Sequence, residues 1–268
     1  MDPPVWQQRQ LTVRGRVVAW REAGDGPAVL YLHDAGADTL ASPAFDDVAT
    51  DHRVLVVDLP GYGRSDPAAG LHAPAAVAAL LADIIEATVE GPVVAAGTSL
   101  GGWFAATLAA ERPDLVAGLL LANAAGMHAP PHYLFDLFAA GAAAATTNHH
   151  VAQALVARLP DDERVGETTP APVATAVVAP WVQNLAAAAA ASWSHAVASP
   201  EMIGAAGRIR CPTIVLWGEH DGLIPMEHGR VWAASIPGAR LRVVRGAGHL
   251  VALDAPDELA AAIRALTG

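Results

Sequence analysis

The feature that most restricts the fold of this chain is an alternation of short apolar runs, each too brief for a helix, with longer stretches of helical character. Residues 28–33 and 53–58 are such runs. The second contains Val54-Leu55-Val56-Val57 with no polar residue interleaved, the pattern of a strand buried on both faces of a parallel sheet. A strand at 16–21 precedes them and turns through Gly24-Asp25-Gly26-Pro27. A helix at 74–90 follows, with Pro74 in its first turn, then a strand at 92–97, a helix at 100–111 and a strand at 117–122; Pro113 supplies the stop between the last two. The alternation resumes late, as a strand at 212–218, a helix at 227–235, a strand at 239–245 and a closing helix at 255–266. Such a succession predicts an α/β fold, a mostly parallel sheet with helices on both faces.

Between the two parts the composition changes. Residues 126–207 favour helix, notably at 139–145 and 185–191, and are broken by Pro130, Pro131, Pro160, Pro170, Pro172 and Pro180. This stretch reads as a helical cap inserted into a core domain made of residues 1–125 and 208–268, covering one edge of the sheet. A chain of 268 residues suits one large domain with such an insertion. Hydrophobic residues make up 53% and charged ones 16%, which excludes a disordered chain. The formal net charge is −11 and all basic residues are arginines, scattered without a stripe, so nucleic acid is not an expected partner. The N-terminus lacks a basic start followed by an apolar run, and the run at 185–191 is too short to cross a bilayer. Cys211, the single cysteine, reads as a small buried residue before Pro212. A cytoplasmic enzyme fits these features, and a homodimer is left open.

The sharpest local signal is Gly97-Thr98-Ser99-Leu100-Gly101-Gly102, a G-x-S-x-G pattern with a strand before it and a helix after it. A tight strand-to-helix turn lifts the serine hydroxyl above the sheet, and flanking glycines leave room for the turn. A serine hydroxyl is a weak nucleophile near neutral pH and needs a base, itself oriented by an acid. His249, in the turn Gly246-Ala247-Gly248-His249 before the closing helix, is the expected base. Asp221, just past the strand at 212–218, is the expected acid, with Glu219 as rival in the same loop; Asn123, after another strand, cannot carry the charge. The order Ser, Asp, His is the one this elbow pattern predicts. The amides of Leu100 and Ala35 are the expected oxyanion donors, and His33 reads as a prop for the loop that carries Ala35.

Together these pieces resemble the α/β-hydrolase fold family, specifically its cap-bearing members, over nearly the whole chain outside the insertion. His33 to Gly36 looks like the family's oxyanion loop, and Asp58-Leu59-Pro60-Gly61-Tyr62-Gly63-Arg64-Ser65 like its D-x-P-G-x-G-x-S segment. Gly218 to Pro225 looks like its acid loop, and Gly248-His249 like its histidine turn. The resemblance implies an eight-stranded, mostly parallel sheet with a helical lid after the sixth strand. One departure stands out: Asp34 occupies a position where the family usually has glycine. Aspartate tolerates left-handed backbone better than most residues, and its carboxylate is expected to contact substrate or a lid residue.

Relatives of this fold that open haloalkanes or epoxides attack with an aspartate, so Ser99 argues against both reactions. Ester hydrolysis through an acyl-enzyme is the leading expectation. The alternative is a C–C bond hydrolase acting on vinylogous diketones from aromatic ring cleavage. Those enzymes usually carry Asn and Trp where this chain has Thr98 and Leu250, although Arg158 and Arg164 could grip a carboxylate. Lactonase and perhydrolase activities share the same motifs, and a receptor-like ligand-binding protein with slow turnover is the alternative outside catalysis. The substrate is expected to be a small, largely apolar acyl compound, lined by Trp103, Leu134, Phe135, Phe138, Trp181 and Trp193. No metal is expected, because His149 and His150 are adjacent and face different ways on a helix. No phosphate-cradling glycine loop appears, so no cofactor is expected either.

Overall fold

The computed structural model of the chain describes residues 3–37, 42–69, 71, 73–127 and 199–267. Its strands are β1 (Gln7–Val13), β2 (Arg16–Ala23), β3 (Ala28–Leu32), β4 (Arg53–Val57), β5 (Val93–Thr98), β6 (Val116–Ala122), β7 (Thr213–Gly218) and β8 (Arg240–Val244). The described helices are α1 (Ala44–Val48), α2 (Pro74–Thr88), α3 (Leu100–Glu111), α4 (Glu201–Ala206), α5 (Met226–Ser235), α6 (Val251–Asp254) and α7 (Pro256–Arg264). The strands form one sheet in the order β1-β2-β4-β3-β5-β6-β7-β8. Pairing is antiparallel from β1 to β2 and from β2 to β4, and parallel from β4 onward.

The apolar runs become the centre of this sheet because both faces are covered. Alternate residues of one strand enter different cores, as the two-residue period of a strand requires. Leu30, Leu32, Leu55 and Val57 pack toward α2 and α3, while Val29, Tyr31, Val54 and Val56 pack toward α1 and α7. Helix α3 lies in the middle of the first core, and every residue from Leu100 to Ala110 is buried. A helix covered all round needs no polar stripe, which is why this segment shows apolar content without amphipathic periodicity.

Three elements were not legible in the sequence pattern. Strand β1 is polar and exposed, at the sheet's edge, and its register is fixed by a hairpin through Arg14 and Gly15, both at positive φ (50° and 74°). Helix α1 is a single short turn. A four-residue helix, α6, precedes the closing helix α7: Ala255, at φ −146°, separates the two, consistent with the extended backbone favoured before a proline. Helix α4 falls within the stretch that composition set apart from the core, and it packs on α3, with Met202 and Ala206 in the first core. The Ser199 amide donates to the Gly126 carbonyl at 3.0 Å, so the chain returns beside the point where it leaves β6.

Candidate active site

Ser99 stands at the carboxyl end of β5 with φ 52° and ψ −116°, a conformation L-residues rarely adopt. Holding such a residue costs on the order of 1–3 kcal/mol, so its surroundings must over-determine it. Its amide donates to Ala122 at 3.0 Å, and its carbonyl accepts from Trp103 at 3.2 Å and Ala125 at 3.0 Å. The glycines explain the rest. A Cβ on Gly97 would lie 2.4 Å from the Gly101 carbonyl carbon, and one on Gly101 would lie 2.1 Å from the Leu32 oxygen. Gly101 therefore lets the first turn of α3 press against the end of β3, bringing Ser99 close to the loop that follows that strand.

That loop is held from several sides. Backbone N–H of Leu59 donates to His33 Nε2 at 3.1 Å, which leaves the proton on Nδ1, and Nδ1 donates to the Asp34 carbonyl at 2.6 Å. Burial pushes the His33 imidazole below its usual pKa, against the opposing pull of Asp34 and Asp58, so the neutral ring suits its two contacts. A trans peptide sets N–H opposite C=O, so fixing the Asp34 carbonyl also aims the amide of Ala35. That amide finds no acceptor among the described residues, although Ala35 is buried. The Leu100 amide opens α3 and has no intrahelical acceptor. The Tyr62 hydroxyl donates to the Ala35 carbonyl at 3.0 Å, and its ring packs edge-on against His33. Burial, then the Asp34 charge, pushes the Tyr62 phenol above its usual pKa.

Asp34 is fully buried, and its Oδ2 accepts from the Gly36 amide at 2.8 Å. The carboxylate thus closes a tight turn of its own loop, which shows how an aspartate can occupy a position the family usually gives to glycine. The Asp58 segment is a second clasp. Gly63 suits this turn because its φ is +51° and a Cβ there would lie 2.4 Å from the Asp58 carboxylate, which accepts from the Arg64 amide at 3.0 Å. The Ser65 hydroxyl donates to the Asp58 carbonyl and accepts from Ala19 of β2.

Across the sheet, Asp221 and His249 meet at the carboxyl ends of β7 and β8. The Asp221 Oδ1 accepts from the Leu223 and Ile224 amides at 2.8 Å each, and its Oδ2 accepts from His249 Nδ1 at 2.9 Å. Both side chains are essentially inaccessible, at 1% and 0%. Glu219 turns instead to the Gly246 amide at 3.0 Å and stays half exposed. Gly218 is needed here too, since a Cβ would lie 2.0 Å from the Gly248 oxygen.

Sequence reasoning passed over Asn123, whose side-chain amide donates to Asp221 Oδ2 at 2.6 Å. The only signal was a polar residue closing an apolar strand. Trp103 is buried in the core with its indole against Gly126, where a Cβ would approach it to 2.6 Å. Leu134, Phe135, Phe138, Trp181 and Trp193, with Arg158, Arg164, His149 and His150, lie outside the described residues. Among the described residues no His, Cys, Asp and Glu cluster could hold a metal, and no helix is long and apolar enough to cross a membrane.

The chain is 30% identical over 240 residues to a pimeloyl-[acyl-carrier protein] methyl ester esterase of Chromobacterium violaceum, covering 84% of this chain and 88% of that one. It is 25% identical over 268 residues to a 2-hydroxy-6-oxo-6-phenylhexa-2,4-dienoate hydrolase of Comamonas testosteroni, covering 90% and 88%. An esterase structure from Rhodococcus sp. ECU1013 superposes with a TM-score of 0.78 over 98% of each chain at 20% identity, a likeness of fold. The model of the alpha/beta hydrolase fold matches residues 27–256, and the chain belongs to that family.

Proposed function

We propose that this protein hydrolyses a carboxylic ester through an acyl-enzyme, with Ser99 as nucleophile, His249 as base and Asp221 as acid. The observation that carries the reading is the buried 2.9 Å contact between His249 Nδ1 and Asp221 Oδ2, in loops after β7 and β8 at the same carboxyl end of the parallel strands as the strained Ser99 after β5. With its Nδ1–H donated to the Asp221 carboxylate, His249 offers Nε2 as the base. Ser99 Oγ attacks the ester carbonyl, and its proton passes to Nε2. Charge develops on the carbonyl oxygen, where the Leu100 and Ala35 amides donate. Collapse breaks the bond to the alkoxy group, which leaves with the proton from His249. Water then gives a proton to Nε2 and attacks the acyl carbon; Ser99 leaves as the alcohol and the carboxylic acid is released.

The likeness to the dienoate hydrolase favours a second reading, cleavage of a C–C bond in a vinylogous diketone. Two positions speak for the ester. Thr98, where the C–C enzymes usually carry Asn, is buried and bonds Tyr31 at 2.7 Å; Leu250, where they usually carry Trp, is buried in the core. The test is a panel of p-nitrophenyl esters of rising chain length, lactones and a ring-cleavage diketone, on the wild type and Ser99→Ala. Ester turnover that falls by at least about 10⁴ in the variant supports the proposal. Turnover of the diketone alone favours the second reading, and binding without turnover of any acyl compound favours a receptor-like protein.

A further inference from the structure

Asn123 directly follows β6, one strand away from the loop that holds Asp221, and the reaction above gives it no step. It is fully buried, its backbone is left-handed at φ 46°, and its N–H donates to the Leu216 carbonyl at 2.9 Å. Asparagine tolerates that conformation better than most residues. Its side chain bridges two elements: the Gly218 amide donates to Oδ1 at 3.3 Å, and Nδ2 donates to Asp221 Oδ2 at 2.6 Å. A backbone N–H can only donate, so the bond from Gly218 fixes which end of the amide faces Asp221. The oxygen reached is the one that also accepts from His249 Nδ1 at 2.9 Å.

We infer that Asn123 is a positioning residue that sets the basicity of His249 through Asp221; this rests on the Ser99, His249 and Asp221 reading above. Oδ2 divides its electron density between two donors. A hydrogen bond to the charged carboxylate stabilises it without help from the imidazolium, so Asp221 pulls less strongly on a second proton at His249. The amide also anchors Asp221 from a neighbouring strand without placing a second negative charge there. Other titratable groups around the histidine turn are Asp254, which accepts from the Gly248 amide at 2.7 Å, and Glu219, with His220 3.8 Å from its carboxylate. None of them is among the hydrogen-bond partners of Asn123, which are Asp221, Gly218 and Leu216.

The test compares wild type, Asn123→Gly and Asn123→Ala by two readouts. One is the pH profile of kcat/KM on a p-nitrophenyl ester. The other is the ¹⁵N NMR titration of His249, assigned by the resonance lost in His249→Gln. Glycine accepts the left-handed backbone and alanine keeps the Cβ, so at least one variant is expected to fold. The acid limb and the His249 titration should both move up by about half to one pH unit. In the same variants kcat should fall severalfold, with KM within about twofold. A fall in kcat with both titrations at their wild-type positions would overturn the inference and leave Asn123 a structural tie. The NMR arm needs no turnover. It therefore decides the inference even if Ser99→Ala retains activity, the result that defeats the functional reading instead.

Discussion

The two halves of the candidate site are built in opposite ways. At the elbow, the serine and its glycines lie within six consecutive residues, and the constraint is backbone against backbone: Gly97 against Gly101, and Gly101 against Leu32 of β3. On the acid–histidine side the partners are 28 residues apart, and Asn123 is 98 residues from Asp221. The elbow keeps strain in one residue, Ser99 at φ 52°, while the other half relies on a carboxylate that accepts four hydrogen bonds. A nucleophile must be held above the sheet whatever else moves. A base must exchange a proton, and the proposed one, His249, meets partners that follow β6 and β7.

The largest expected effect separates the two acids of the β7 loop. Asp221→Asn should lower kcat by about 10⁴, because the amide nitrogen in place of Oδ2 donates to His249 Nδ1 and favours the wrong tautomer, and it should also cost some stability, because that nitrogen faces the Asn123 Nδ2 donor. Glu219→Gln should leave kcat within about twofold, since Glu219 accepts from Gly246 and does not reach His249. Steady-state kinetics on both variants check this; an Asp221→Asn enzyme with wild-type kcat would dismantle the acid assignment.

A smaller effect tests the elbow as a rigid backbone contact. Gly101→Ala forces a Cβ to within 2.1 Å of a main-chain oxygen that no rotamer change can move. Overpacking of this kind typically costs about 1–3 kcal/mol, and here the upper end is expected, read as a lowered midpoint in urea. Gly15→Ala is the control: its Cβ meets nothing within 4 Å, so its cost comes from the positive φ of 74° alone and should be smaller. Equal losses in the two variants would mean that the close approach of α3 to β3 is not what holds the elbow.

The same contrast accounts for what was legible in the sequence. Strands buried on both faces, and an elbow whose glycines sit beside its serine, leave their marks within a few residues. The Ser, Asp, His order could be read because each residue follows a recognisable strand. Asn123 could not, since its role depends on β6 lying beside β7 in space, a pairing no local pattern carries. Reasoning from charge set it aside, yet its neutral amide is what binds Asp221. Strand β1 was hidden for a different reason: an exposed edge strand buries little, so Gln7-Gln8-Arg9-Gln10 shows no apolar alternation.

The smallest effect concerns the loop after β3, which joins the two halves through the expected oxyanion site. His33 is buried with its pKa held below the usual histidine value, whereas in the unfolded chain it titrates near 6.5. As pH falls below that unfolded value, the unfolded chain takes up a proton that the folded one refuses, so stability falls as the solution is acidified and is fully present above it. The loss grows by about 1.4 kcal/mol for each unit of difference in pKa between the states, until the folded pKa is reached. Melting the wild type between pH 7.5 and 5 should show this slope, and His33→Asn should flatten it, because an asparagine amide does not titrate. The variant is expected to be less stable at pH 7.5, having lost the ring packed on Tyr62, and to close part of that gap at pH 5. A constant gap across the range would mean that His33 titrates alike in both states, and the neutral ring would then not be what fixes the Asp34 carbonyl and aims Ala35.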